Sequence, residues 1–218
     1  MARTDILNRV NGRSALDYRP IYLQVDIIPN ASGSALIECG NTKIVCAVHG
    51  PRQVRGRQYS GKAELNVQFQ MAPFSLRQRQ KPGKDTEKSG PASLIQQALL
   101  PAVRLELLPK SSIDVYVTVL DSDTSELGYS SLGVTAASAA LAQAGVEMLG
   151  FVTGSTASLM YSLPVNGATH QQWLVDPSQS EAIHSSTHLM ICTMPALGRT
   201  TCYTLQGPVQ QVSSIKEA

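Results

Sequence analysis

The sequence predicts a mixed α+β domain, and three observations predict it. Four β-rich runs lie between Ile21 and Met71, an apolar helical stripe begins at Pro91, and an Ala/Ser/Gly-rich block from Ser131 to Met148 lies between further β-like runs. The first element group is Ile21 to Ile28, Ser34 to Cys39 and Lys43 to Val48. Asn30-Ala-Ser-Gly33 and Gly40-Asn41 carry turn chemistry between them, so the three form an antiparallel meander. Glu64 to Met71 alternates without a fault, as a strand with one buried face must. Pro91 suits the first turn of a helix reaching about Leu108, with Leu94, Ile95, Ala98, Leu99, Ala102 and Val103 on one stripe and a kink at Pro101. Ile113, Val115, Val117 and Val119 then mark a strand, and Ser131 to Met148 reads as a helix packed closely enough to need small side chains. From Phe151 onward short β-like runs alternate with an Asn166-Gly167 turn and end in Thr187 to Met194 and Thr200 to Leu205. No tandem repeat interrupts this order. Residues 1–218 read as one domain, with a short, atypical tail from about position 202 in which Val212 to Glu217 makes at most one helical turn.

Composition narrows the function classes. An apolar fraction of 43% over 218 residues supports a sizeable core. Charged residues amount to 16%, against roughly 25% in an average soluble protein, so partner subunits are expected to cover part of the surface. The net charge of +2 splits unevenly: residues 1–110 hold 16 Lys and Arg against 8 Asp and Glu (16 − 8 = +8), and residues 111–218 hold 2 against 8 (2 − 8 = −6). That excludes a uniformly basic nucleic-acid coat protein and assigns any polyanion contact to the first half. Met1 to Arg9 lacks the apolar core of a signal peptide, so an intracellular protein is expected. The charge-free runs Leu127 to Val146 and Met148 to Val175 are rich in Ser, Thr, Gly, Gln and Asn and read as buried soluble elements, with no membrane partner. Cys39, Cys46, Cys192 and Cys202 form no CxxC pair; reduced core thiols are expected, although Cys39 and Cys46 are placed to face each other across a turn.

Several segments together resemble the ribonuclease PH family: Asn11-Gly-Arg13 with Arg19-Pro20, Gly33-Ser-Ala-Leu36, Gly40-Asn-Thr-Lys-Ile-Val-Cys-Ala-Val48 with Gly50-Pro51, Ala98-Leu-Leu-Pro-Ala-Val103, Ile113-Asp-Val115, and Ala136 to Gly145. The match runs from about residue 7 to residue 195. Gly50-Pro-Arg-Gln53, Ala72-Pro-Phe74 and Gly145-Val-Glu-Met148 look closest to the mRNA transport regulator subunit of the eukaryotic RNA exosome core. The resemblance implies a β-α-β-α core of ribonuclease PH type, a hetero-hexameric ring shared with other ribonuclease PH-like exosome subunits, cap subunits above it, RNA threaded through it, and residence in nucleus, nucleolus and cytoplasm.

Phosphorolysis needs a held phosphate, positive charge around it and a carboxylate for acid/base or metal work. Where active relatives carry Gly-Thr-Arg, this sequence reads Ser125-Glu-Leu-Gly-Tyr-Ser130, and no Arg occurs between Arg104 and Arg199. An earlier family Arg falls near Thr86 to Lys88, where only Lys88 is basic. Where acidic residues precede the strand ending at Pro195, this chain has Glu181-Ala-Ile-His-Ser-Ser-Thr-His188, with His188 or a neighbour in place of a carboxylate. The expected function is therefore a non-catalytic structural subunit of the exosome ring. An active phosphorolytic 3′→5′ exoribonuclease and a scaffold without RNA contact are the alternatives.

The expected RNA contacts are Arg52, Arg55, Arg57 and Lys62 before the strand Glu64 to Met71, and Arg77, Arg79, Lys81 and Lys84 after it, with hairpin connectivity bringing both groups near one edge. Tyr59 has two readings, a base-stacking ring or cover for apolar surface. His184 and His188 on an extended segment lie too far apart for one ion, and Asp121, Asp123 and Glu126 read as a solvated turn, so neither metal nor cofactor is expected.

Overall fold

A computed structural model describes residue 9 and residues 12–53, 61–76, 78–81, 88–161 and 171–208. Two sheets enclose a helical layer. The first has five strands, β1 (Ile21–Val25), β2 (Gly33–Cys39), β3 (Thr42–Gln53), β4 (Glu64–Met71) and β5 (Ser111–Asp121), in the order β1-β2-β3-β5-β4. The second has four, β6 (Thr153–Tyr161), β7 (Gln171–Val175), β8 (Thr187–Met194) and β9 (Arg199–Gln206), in the order β7-β6-β8-β9. Helix α1 (Ser89–Leu99) links β4 to β5, α2 (Glu126–Gln143) links the sheets, and α3 (Gln179–His184) links β7 to β8.

The β1-β2-β3 meander forms as its turns dictate, with Cys39 opposite Thr42 and Ala35 opposite Cys46. Cys39 and Cys46 therefore do not face each other; all four cysteines are free thiols. The Asn166-Gly167 turn and Val212 to Glu217 lie outside the described residues.

The helices differ from the sequence reading, and β3 runs on to Gln53, five residues past Val48. Helix α1 ends at Leu99 instead of about Leu108, because Pro101 has no N–H to continue the ladder; a 3-10 turn, Leu105–Leu107, follows. Helix α2 begins at Glu126, five positions before Ser131, with Ser125 as its N-cap, and ends at Gln143. Helix α3 was read as extended, yet Ser178 and Glu181 form a reciprocal capping box that starts it.

Helix α2 organises the core. It touches β2 and β3 on one side and β6 and β8 on the other, so nearly every residue from Leu127 to Leu141 is buried and no apolar stripe is visible. Backbones approach closely at two glycines. A Cβ on Gly33 would lie 2.2 Å from the Ala140 carbonyl oxygen, and one on Gly154 would lie 2.5 Å from that of Ser131. The buried hydroxyls of α2 also have work: Ser138 Oγ accepts from Val152 N at 2.9 Å and Thr135 Oγ1 from Gly154 N at 3.1 Å, pinning the start of β6 to the helix. One continuous core results, running from Ile37 and Phe69 through Ile95 and Leu141 to Met190.

Gly33→Ala and Gly154→Ala should each destabilise the fold by about 1–3 kcal/mol through overpacking. Gly61→Ala, where an added Cβ meets nothing within 4 Å, should stay within about 0.5 kcal/mol of wild type. Urea unfolding midpoints of the three variants test this.

Candidate nucleic-acid interface

The basic segments are placed by β4, the edge strand of the first sheet. β4 does not form a hairpin with β3: β5 lies between them, parallel to β4 and antiparallel to β3. Arg52 and Glu64 both align with Ser112, whereas Met71 aligns with Val119. The two basic groups thus share an edge strand but leave it at opposite ends, about 25 Å apart for eight residues of strand. The expected juxtaposition is corrected accordingly.

At the first end Arg52 is exposed and Lys62 Nζ pairs with Glu106 at 3.0 Å, an exposed ion pair of small energetic weight. At the second end Arg79 and Lys81 are exposed. Arg55, Arg57, Arg77 and Lys84, and also Tyr59, lie outside the described residues.

The second end also holds the N-termini of α1 and α2, the natural place for an anion. Lys88, immediately before α1, directs Nζ to the Tyr129 hydroxyl at 3.2 Å and sits 5.5 Å from that ring's centroid. Tyr129 stacks on Phe69 at 5.4 Å, and burial, then the nearby Glu126 carboxylate, raise its phenol above the ordinary range. Glu126 turns its own carboxylate toward α1: Oε1 would lie 3.5 Å from a Cβ on Gly90 in that helix's first turn, which carries no acid of its own. This end of the molecule therefore presents the exposed Glu126 carboxylate beside a lysine already engaged with Tyr129.

The carboxylates of the second half are engaged as well. Asp176, held at φ 49°, receives Arg19 Nε and Nη2 at 2.6 Å each, the Arg19 backbone N–H at 3.1 Å and Arg13 Nη1 at 3.4 Å. Glu181 receives Arg9 Nε at 2.9 Å, Arg9 Nη2 at 2.8 Å and the Ser178 N–H at 2.9 Å. Burial pushes the Glu181 carboxyl up, but the Arg9 and Ser178 hydrogen bonds outweigh it and hold it below its ordinary value. Arg9 Nη1 and Nη2 also donate to the Val175 and Asp176 carbonyls, so the segment around Arg9, Arg13 and Arg19 is stapled to the β7–α3 turn. Asp123 is likewise not simply solvated, since it faces Asn41 at 3.5 Å and Arg19 at 4.0 Å.

His184 closes α3 with Nδ1 2.8 Å from the Ser180 carbonyl, so the segment is not extended throughout. His188 lies in β8 opposite Ser158 and Gln206, where burial lowers its pKa. Thr187 beside it is fully buried and donates to the Pro208 carbonyl at 2.7 Å. Among the described residues no three acids, histidines or cysteines converge on a metal position. Sequence reasoning found the basic groups but missed the Arg19–Asp176 and Arg9–Glu181 anchors, whose partners are 157 and 172 residues apart. Only the Ser178-Gln-Ser-Glu181 capping box offered a local signal.

The model of the 3′ exoribonuclease family, domain 1, matches residues 17–147. The chain is 36% identical over 201 residues to the exosome complex component Rrp41 of Pyrococcus horikoshii, covering 91% of this chain and 76% of that protein. It is 33% identical over 205 residues to the Rrp41 exosome component of Thermoplasma acidophilum, covering 93% and 78%. The solved structure of rice Rrp46 matches with a TM-score of 0.75 over 95% of this chain and 90% of that one, at 19% identity, a likeness of fold. The mixed α+β architecture expected from the ribonuclease PH resemblance is the one observed.

Asp176→Asn removes the buried, bidentate charge partner of Arg19, leaving only the half-exposed Asp123 at 4.0 Å, and should cost about 3–5 kcal/mol, read from urea unfolding at pH 7. The Glu181 contribution follows from a folded pKa below the ordinary 4.5. It is fully present above the unfolded value and is lost as pH falls through the lower folded one. The stability difference between wild type and Glu181→Gln should therefore be largest near neutral pH and shrink below about pH 4, as unfolding series at several pH values will register.

Proposed function

The chain belongs to the ribonuclease PH family of 3′ exoribonucleases, and from that premise we propose that it is a non-catalytic subunit of an RNA exosome ring. In this reading it helps form the channel that binds and threads RNA toward a nuclease elsewhere. Its neighbours are other ribonuclease PH-like subunits, with cap subunits above. Gly50 to Gln53, Ala72 to Phe74 and Gly145 to Met148 favour the position of the mRNA transport regulator subunit.

The observation that carries the non-catalytic reading is the charge at the helix N-termini. Phosphorolysis brings inorganic phosphate against the terminal phosphodiester, and both are anions. Glu126 holds a carboxylate beside the first turn of α1, no arginine of the 105–198 stretch answers it, and Lys88 is turned to Tyr129. Asp176 and Glu181 are each held in bidentate fashion by an arginine, which does not suit either to ligate a divalent cation.

The ring reading is supported by strand β1. Ile21, Tyr22, Leu23 and Val25 are each close to half exposed, and both faces of this edge strand are open to solvent. Apolar side chains left open on both faces of an edge strand suit burial against a neighbouring chain.

Affinity purification of the full chain should recover other ribonuclease PH-like subunits; recovery of a stable, solitary monomer would count against the ring. Incubated with oligo-RNA and phosphate, the purified chain should release no nucleoside diphosphate at any phosphate concentration. Release would establish the active phosphorolytic enzyme instead. Charge reversal at Arg52, Arg79 and Lys81 should weaken RNA binding by the assembled ring, most at low salt, and unchanged binding would favour a scaffold that does not touch RNA.

A further inference from the structure

Phe74 is the most exposed aromatic side chain among the described residues, at 68%. Its exposure is built into the turn that carries it. Ala72 N donates to the Val119 carbonyl at 2.9 Å, Ser75 N to the Ala72 carbonyl at 2.9 Å, and Ser122 N to the Ser75 carbonyl at 3.1 Å, which fixes the turn to the end of β5. On either side Ala72 and Ser75 are buried, and Leu76 packs against the core, so Phe74 is the residue turned outward. The chain then doubles back: Gln80 N donates to the Pro73 carbonyl at 2.9 Å, which brings exposed Arg79 and Lys81 alongside the Phe74 turn.

An apolar protein contact would be expected to gather apolar neighbours, as β1 does. The described residues after Leu76 in this turn are Gln78, Arg79, Gln80 and Lys81, all polar or cationic. An exposed ring on a hydrogen-bonded turn beside cations matches the chemistry of single-stranded nucleic acid, whose bases offer π-faces and whose backbone offers phosphates. The ordered turn matters, because a backbone already held in the free protein loses little entropy when a base stacks on the ring it carries.

We propose that Phe74 is a stacking platform for one base of single-stranded RNA, with Arg79 and Lys81 engaging the adjoining phosphates. The proposal rests on the reading of the chain as an RNA-guiding subunit and adds the contact through which it grips the strand. The contact is tolerant of base identity, since every base presents a π-face.

The test uses the full chain in whatever assembly it is recovered, with fluorescent oligo(U) and oligo(A) as probes and salt concentration varied. Phe74→Leu should raise Kd about 5- to 100-fold for both oligomers while leaving the slope of log K against log salt unchanged, because stacking releases no counterions. Phe74→Trp should retain binding, and its indole fluorescence should be quenched by added RNA. Arg79→Ala and Lys81→Ala should each reduce the salt slope by about 0.7. Wild-type affinity for Phe74→Leu overturns the proposal, as does loss of subunit assembly in that variant, which would make Phe74 a protein contact. An intact ring that binds RNA regardless of Phe74 overturns the stacking platform alone. A chain recovered without ring partners whose RNA affinity still depends on Phe74 overturns the ring and leaves the platform standing.

Discussion

Everything in this fold depends on burying one helix on every side. Helix α2 lies between two sheets, and a helix flanked so closely can carry few large side chains. That constraint accounts for the Ala, Ser and Gly content of Glu126–Gln143 and for the glycines that face it at positions 33 and 154. It also explains why serines and threonines stand inside a helix core: their hydroxyls bond either to the preceding turn, as Ser130 does to the Glu126 carbonyl at 2.7 Å, or to the incoming strand β6. Apolar burial alone does not specify how two sheets are oriented on one helix. Directed hydrogen bonds at Val152 and Gly154 do.

A second set of interactions closes the molecule. Arg9 and Arg19 are buried with Glu181 and Asp176, in bidentate geometry and with further backbone partners. Buried pairs of this kind add little net stability relative to an apolar core, but losing one partner is costly. Their effect here is to specify where the segment around residues 9–19 rests on the second sheet. The Glu181 carboxylate, held by Arg9 and the Ser178 N–H, lies below its ordinary pKa, and the Asp176 carboxylate takes both Arg19 and Arg13 donors. The acids of the β7–α3 region are therefore committed to structure, and the same holds for Lys88 with Tyr129.

How much of this was legible in the sequence follows from which interactions are local. β2, β4 and β8 were readable within a residue or two, because alternation reports one buried face directly. The end of α1 was misplaced since its apolar stripe runs past Pro101, and the proline is decisive where the stripe is not. The start of α2 was misplaced because Ser125 to Ser130 reads as a turn by composition; tertiary packing overrides that preference once both faces are covered. The insertion of β5 between β3 and β4 left no trace in any window, because parallel pairing across a helical connection is fixed only when the sheet assembles. That one missed pairing displaced the two basic groups from a common locus to opposite ends of β4.

The division of charge along the chain takes a different meaning in three dimensions. The surplus of cations in the first half is met in part by the acids of the second: Arg9 by Glu181, Arg13 and Arg19 by Asp176, and Arg104 by Glu147. Cations consumed in this way exert little field at the surface, so the basic half is less available to a polyanion than its sequence charge indicates. Of the two basic segments that flank β4, the described residues that face outward are Arg52 and Lys62 at one end of the strand and Arg79 with Lys81 at the other. These described cations form two points about 25 Å apart. A non-ionic contact beside one of them adds a grip that salt does not screen, which is the physical reason an aromatic ring next to Arg79 and Lys81 matters.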